Sequence, residues 1–397
     1  MLESVDQARG MSERSASAIA IARAGLIALA VAMGIGRFAF TPLLPMMQTD
    51  EGLSVSAGAW LASANYLGYL IGALAAMWMP ARAAIAIRVA LIVIGVVTVA
   101  MGVTNGFTVW ILLRAAAGIA SAWVLIHASA WCLERLAASS RPLLNGIVFG
   151  GVGAGIAAAG GICVLLMHFN ATSAQAWIVL GASSLALTLV IWPTFSSEAG
   201  VASRATQGAQ GAAPSWNRES VRLVLCYGAF GFGYIIPATF LPAMARQAIQ
   251  DPLIFGWSWP IFGAAALAST LVAAVLPPSL GNRRLWIGSQ LLMAGGVALP
   301  VVWPGIAGIM LAALFVGGTF MVTTMVAIRE ARQVAGVNAT GLIAAMTAAF
   351  AIGQIVGPIS ASFLVGRKGN FSAALLIASL LLVLSAYALR RSRAAQS

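Results

Sequence analysis

The sequence predicts an all-α polytopic membrane protein with twelve transmembrane helices, and three observations carry that prediction. Of 397 residues, 61% are hydrophobic and only 8% charged, against about 25% charged in an ordinary soluble domain, so the charges are too few to cover a water-facing surface. The apolar residues fall in runs close to the ~20 that one spanning helix needs, and mean hydropathy is +0.95. A stretch of the first run, 34–47 (GIGRFAFTPLLPMM), returns in altered form at 231–244 (GFGYIIPATFLPAM). That recurrence predicts two six-helix halves in parallel orientation.

Taken in order, a polar segment 1–18 precedes helices expected at 19–44, 56–77, 89–103, 108–133, 143–167 and 174–192. Together they make a first half over 19–193. Residues 194–220, rich in Ala, Gly, Ser and Gln and without apolar periodicity, read as a flexible linker. The second half, 221–389, holds helices at 221–244, 255–276, 285–302, 305–328, 340–365 and 371–389, and 390–397 form a tail.

Arginine and lysine test this alternation. With the N-terminus inside, seventeen of the 22 basic residues fall in inner segments, and three (Arg246, Arg367, Lys368) fall in outer loops. Arg37 and Arg114 are left within helices. The asymmetry predicts cytoplasmic termini. The net charge of +12 follows from this orientation, because the arginines lie between apolar runs and form no nucleic-acid patch. Cys132, Cys163 and Cys226 lie within or beside apolar runs without CxxC spacing, so they read as small buried hydrophobes.

The repeat keeps register beyond its core. Gly34, Gly36, Leu44, Pro45 and Met47 match Gly231, Gly233, Leu241, Pro242 and Met244, and Trp60 and Pro80 match Trp257 and Pro277. Parallel repeats of this kind place a substrate site near the midplane between the halves. Over its whole length the chain resembles the major facilitator superfamily. The 34–47 stretch and the second helix's LASANYLGYLIGAL (61–74) are similar to the YbfB/YjiJ-type bacterial branch. Two superfamily patterns are present: RxxxG as Arg114–Gly118, and GxxxGP as Gly353–Pro358 in helix 11. Helix 5 is glycine-rich without that proline, and the loop after helix 2 lacks the acidic residue of the family's gating motif. The resemblance implies a bacterial inner-membrane permease, with helices 1, 4, 7 and 10 lining a central cavity.

Arg37 and Arg114 are the residues most in need of explanation. An arginine in hydrocarbon costs about 2.5–3.5 kcal/mol on insertion scales, which makes function its default reading. Each lies about 10 Å from the outer end of its helix, so the two should share a level. Facing the cavity they would attract and orient a carboxylate or phosphate; otherwise they bond backbone carbonyls or cap a neighbouring helix. The repeat partner of Arg37 is Tyr234. Asn65, Tyr66, Tyr69, Thr319, Thr323, Thr324 and Gln354 add neutral polar groups, either toward substrate or between helices.

No Asp or Glu falls within a helix, so His127 is the mid-helix candidate for a coupling proton, unless it bonds a neighbouring helix. Glu134 and Glu330, near the basic loops at Arg82 and Arg283, read as a cytoplasmic gate whose ion pairs form as the halves close, or as solvated helix-end charges. These features predict a monomeric secondary active transporter of a small organic solute, anionic in character, without cofactor or metal. The twelve tryptophans and fifteen methionines suggest a broad-specificity drug or metabolite exporter as the alternative. With no HExxH, GxSxG, intramembrane carboxylate pair or nucleotide-binding loop, the pattern points away from an enzyme or a primary pump.

Overall fold

Among the described residues of the computed structural model, twelve helices are long and apolar enough to cross a membrane. The structure describes residues 18–78, 82–137, 142–196, 217–276, 280–336, 339–365 and 370–390. The N-terminal segment to residue 17, the linker from 197 to 216, the tail beyond Arg390, Arg141, Arg367, Lys368 and the Pro80–Pro277 match lie outside these residues.

The helices are α1 (Ala18–Asp50), α2 (Val55–Trp78), α3 (Ala83–Val103), α4 (Phe107–Leu136), α5 (Pro142–His168) and α6 (Ser173–Ile191). After a 3-10 turn at Trp192–Ser196 and the linker come α7 (Arg218–Ala248), α8 (Pro252–Val275), α9 (Asn282–Val302), α10 (Ile306–Ala335), α11 (Ala339–Val365) and α12 (Ser372–Arg390).

Several helices begin earlier than hydropathy suggests, each for a local reason. α3 starts at Ala83 although Arg88 lies within it. Its guanidinium donates to the Trp192 carbonyl at 3.0 Å and lies 4.5 Å from that indole ring, carrying the charge to the helix-end region while the stem stays in apolar surroundings. α7 starts at Arg218, inside the expected linker, because the Asn217 side chain accepts from Ser220 N and caps the first turn. α6 opens with a full capping box between Thr172 and Gln175.

Helix partners recur six helices apart. α1–α5, α2–α4, α3–α4 and α3–α6 pack in the first half, and α7–α11, α8–α10, α9–α10 and α9–α12 in the second. The halves meet along α2–α11, α5–α8 and α1–α7. On α5 and α8, Gly153 and Gly263 each lie where a Cβ would strike the other helix's backbone, so these helices approach to backbone contact. Gly353, the first glycine of the GxxxGP pattern, seats α11 against Gly228 and Phe232 of α7 in the same way. The repeat pair Trp60 and Trp257 are 48% and 51% exposed, as indoles at a membrane interface would be.

Candidate functional site

The site grows from a fault in α1. Between Ala30 and Ile35 the helix widens into a π turn. Gly36 N donates to Val31 O at 2.9 Å and Phe38 N to Met33 O at 3.0 Å, both five residues back, and regular helix resumes at Phe40. Pro42 follows directly and contributes no N–H to a regular ladder. A π insertion leaves carbonyls without their usual partners, and in a bilayer each must be satisfied internally.

Polar side chains of α2 and α4 do this. Ser121 Oγ donates to Ala32 O at 2.8 Å, Asn65 Nδ2 to Gly36 O at 3.2 Å, Arg114 Nη1 to Gly36 O at 3.4 Å and Arg114 Nη2 to Arg37 O at 3.0 Å. Asn65 also donates to Arg114 O at 2.9 Å, tying the two supports together. Arg114, 2% exposed, therefore holds the broken backbone with both terminal nitrogens. Backbone bonding is one of the readings the sequence left open for it, and its Nε has no partner. Gly118, one turn on, has no room for a Cβ against the Asn65 carbonyl, so the RxxxG pattern is one docking surface for α1 and α2.

Arg37 lies in the fault itself, 3% exposed. Its Nη2 donates to Gln354 Oε1 of α11, and Gln354 Nε2 donates to the Tyr234 hydroxyl of α7. The guanidinium carbon is 4.1 Å from the Tyr69 ring centroid, 5.2 Å from Phe38 and 5.3 Å from Tyr66. Its Nε has no acceptor, and among the described residues no carboxylate pairs with it. The charge is held by one neutral amide and by aromatic faces.

Tyr234 belongs to a run of near-parallel rings. Phe320 of α10 lies 5.7 Å from it at 3°, Phe350 of α11 5.5 Å at 10°, and Tyr227 stacks on Phe350 at 5.0 Å. The run continues from Phe320 to Phe262 and Trp259 of α8, and Trp259 meets Phe38 of α1 at 6.3 Å.

Four further hydrogen bonds join the halves toward the end where α1 and α7 finish. Thr41 Oγ1 donates to Ala238 O at 2.8 Å, Tyr66 OH lies 3.1 Å from Thr239 Oγ1, Ser63 Oγ donates to Ile355 O at 2.9 Å, and Arg246 Nη1 donates to Pro45 O at 2.9 Å. Thr41 and Ala238 are 197 residues apart, the same offset that separates the two similar stretches of sequence.

Thr323 is buried with Oγ1 unpartnered, while Thr319 and Thr324 donate to Phe315 O and Phe320 O of their own helix. His127 is buried edge-on to Trp123 at 5.9 Å, with Nε2 unpartnered. Arg283 pairs with Glu330 at 2.9 Å and also with Glu219, and Glu219 holds Arg222 at 2.7 Å. These four residues belong to α7, α9 and α10, so the ion pairs seen for Arg283 and Glu330 join helices of the second half. Arg82 and Glu134 are both exposed.

Sequence reasoning missed Thr41, Ser63, Ser121, Thr239, Phe350 and Glu219. The offset could have drawn attention to Thr41, which bonds the residue 197 positions on. Nothing in the sequence marks Ser63 or Ser121, whose importance depends on which carbonyls the fault exposes.

Among the described residues, a bundle of twelve apolar helices with buried arginines at its centre has the architecture of a membrane transporter. A family model described as the uncharacterised MFS-type transporter YbfB matches residues 29–390, and the chain belongs to that family. It is a multi-pass transporter of the major facilitator type. Among curated proteins, none matches the chain.

Proposed function

We propose that the chain is a secondary active transporter of a small organic anion, alternating access to a site between two parallel six-helix repeats. One observation carries this reading: Arg37 is buried at the junction of the halves with a neutral partner. Nε and Nη2 form one edge of the guanidinium, and a carboxylate can accept from both at once. Nε has no acceptor, and Nη2 is held by Gln354. An anion on that edge displaces Gln354, loosening α11 from α1 and so linking occupancy to movement of the halves. Arg114 and Asn65 act by position, holding the fault that presents Arg37; Tyr66, Tyr69 and Tyr234 frame the charge.

Orientation by the basic residues puts the cytoplasm at both termini, in the bacterial inner membrane. The end closed by Thr41, Tyr66, Ser63 and Arg246 is then the outer one. His127 is the candidate proton carrier if transport follows a proton gradient, and the working unit is a monomer.

The test is transport in proteoliposomes. Arg37→Ala should lower it at least about thirtyfold, the scale expected when one member of a desolvated charge pair is removed, and Arg37→Lys should restore part. Undiminished transport by a well-folded Arg37→Ala protein overturns the anion assignment. The ring series from Trp259 to Tyr227 favours a second reading, a broad-specificity exporter. A deletion strain with unchanged tolerance to a toxic-compound panel would count against it.

A further inference from the structure

Arg37 and Arg114 are like charges in one buried centre, yet their acceptors divide differently between the halves. Arg114 of α4 donates to the Gly36 and Arg37 carbonyls of α1, and Asn65 of α2 donates to Gly36 O and Arg114 O. Arg114 Nε and Asn65 Oδ1 have no partner. All the bonds these two residues make stay within the first half.

Arg37 is the opposite case. The rings around it, Phe38, Tyr66 and Tyr69, are on α1 and α2. Its one hydrogen-bond acceptor among the described residues, Gln354 Oε1, is on α11 of the second half. Arginine offers only donors, so the amide oxygen must be the atom that faces it; the amide nitrogen is turned to the Tyr234 hydroxyl of α7. The next residue, Ile355, accepts from Ser63 of α2 at 2.9 Å. Two successive residues of α11 thus grip the first half, and one of them partners a buried cation.

A guanidinium taken out of water without an acceptor is costly, far more so than a neutral group. Closure over Arg37 therefore needs either a negative group from the substrate or a substitute on the same edge. A neutral amide suits the second task. It accepts one bond from the charged group, and it yields to a carboxylate, which accepts two charge-assisted bonds from Nε and Nη2.

Resting on the anion reading above, we propose that Gln354 is a built-in stand-in for the substrate. When the site is free its amide takes the anion's place on Arg37, so the halves close over the charge at the end where α1 and α7 finish, and the unloaded carrier completes its cycle. The consequence is net transport. A carrier without such a residue would close only when loaded, and would only exchange one anion for another.

Ser63→Cys supplies the reporter: Ser63 is 3% exposed and bonds the neighbour of Gln354, so a thiol there reacts when α2 and α11 part. Its labelling, beyond that of the three buried native cysteines, is read in purified full-length protein, with sodium acetate as the probe and sodium chloride at equal ionic strength as the control. With Gln354 in place labelling should be slow in both salts. Gln354→Ala should label at least about tenfold faster in chloride, the ratio for one lost bond to a charged group, and acetate should slow it again. Gln354→Glu should stay slow in both salts, and so should Arg37→Met/Gln354→Ala, which has no cation to partner. Slow labelling of Gln354→Ala in chloride overturns the stand-in and leaves the anion reading intact. Equally fast labelling of the double variant does the same, because it traces the opening to lost packing, and so does Gln354→Glu labelling as fast as Gln354→Ala. A Gln354→Ala protein that opens and ignores acetate, beside a slow double variant, overturns both readings, since no anion then replaces the amide on Arg37.

Discussion

Replacing Arg114 by Met and Asn65 by Leu, singly and together, tests whether these side chains serve the fault in α1. Arg37 O has one donor, Arg114 Nη2 at 3.0 Å; Gly36 O has two, Asn65 at 3.2 Å and Arg114 at 3.4 Å. Asn65→Leu leaves Gly36 O its longer bond, so the loss should be that of a net hydrogen bond or two, about 1–2 kcal/mol. Arg114→Met orphans Arg37 O, at about 1–3 kcal/mol for a buried unsatisfied group. Only the double variant strips Gly36 O completely, so it should cost about 1 kcal/mol more than the two singles summed, within the range of measured couplings between neighbours. SDS titration of the protein in mild detergent reads the three stabilities. Strict additivity would mean that the carbonyls find other partners, and the reasoning would fail. Arg114→Met that keeps full stability but loses transport in proteoliposomes would make Arg114 a direct ligand.

Other outcomes follow from the same geometry. Gly118→Leu forces a side chain into the Asn65 backbone and should prevent α2 and α4 from docking, read as loss of monodisperse folded protein. Tyr66→Phe removes the bond to Thr239, worth about 0.5–1.5 kcal/mol; it should shift the closed-to-open balance at that end two- to tenfold, read by labelling of an introduced cysteine. Glu330→Gln breaks the Arg283 pair, whose side chains are only 11% and 10% exposed. It should lower stability by about 1–3 kcal/mol without altering that labelling, whereas a gate between halves would change it.

Membership and helix number were legible in the chain because hydrocarbon imposes a one-dimensional rule: each span must be apolar and about as long as the membrane is thick. The importance of Arg37 was legible for the same reason, since a charge among such residues stands out. The roles of the two arginines were not separable. Both are single cations amid apolar residues, yet one supports a backbone and the other reaches across the halves to Gln354. The difference depends on the π turn at Ala30–Ile35, and the corresponding part of α7 remains within one continuous helix despite Pro237 and Pro242.

The ion pairs divide along the same line. The sequence already put Arg283 and Glu330 in the second half but left Glu219 in the linker; only the structure brings Glu219 onto α7 and against Arg283. By itself, then, the chain determined which residues enter the bilayer, because transfer from water depends on composition along a segment. Which buried polar groups meet was decided only by tertiary structure, because a hydrogen bond is set within a few tenths of an ångström by helix rotation and axial position. In α1 both of those are set by the π turn that leaves the carbonyls of Gly36 and Arg37 to be held from outside.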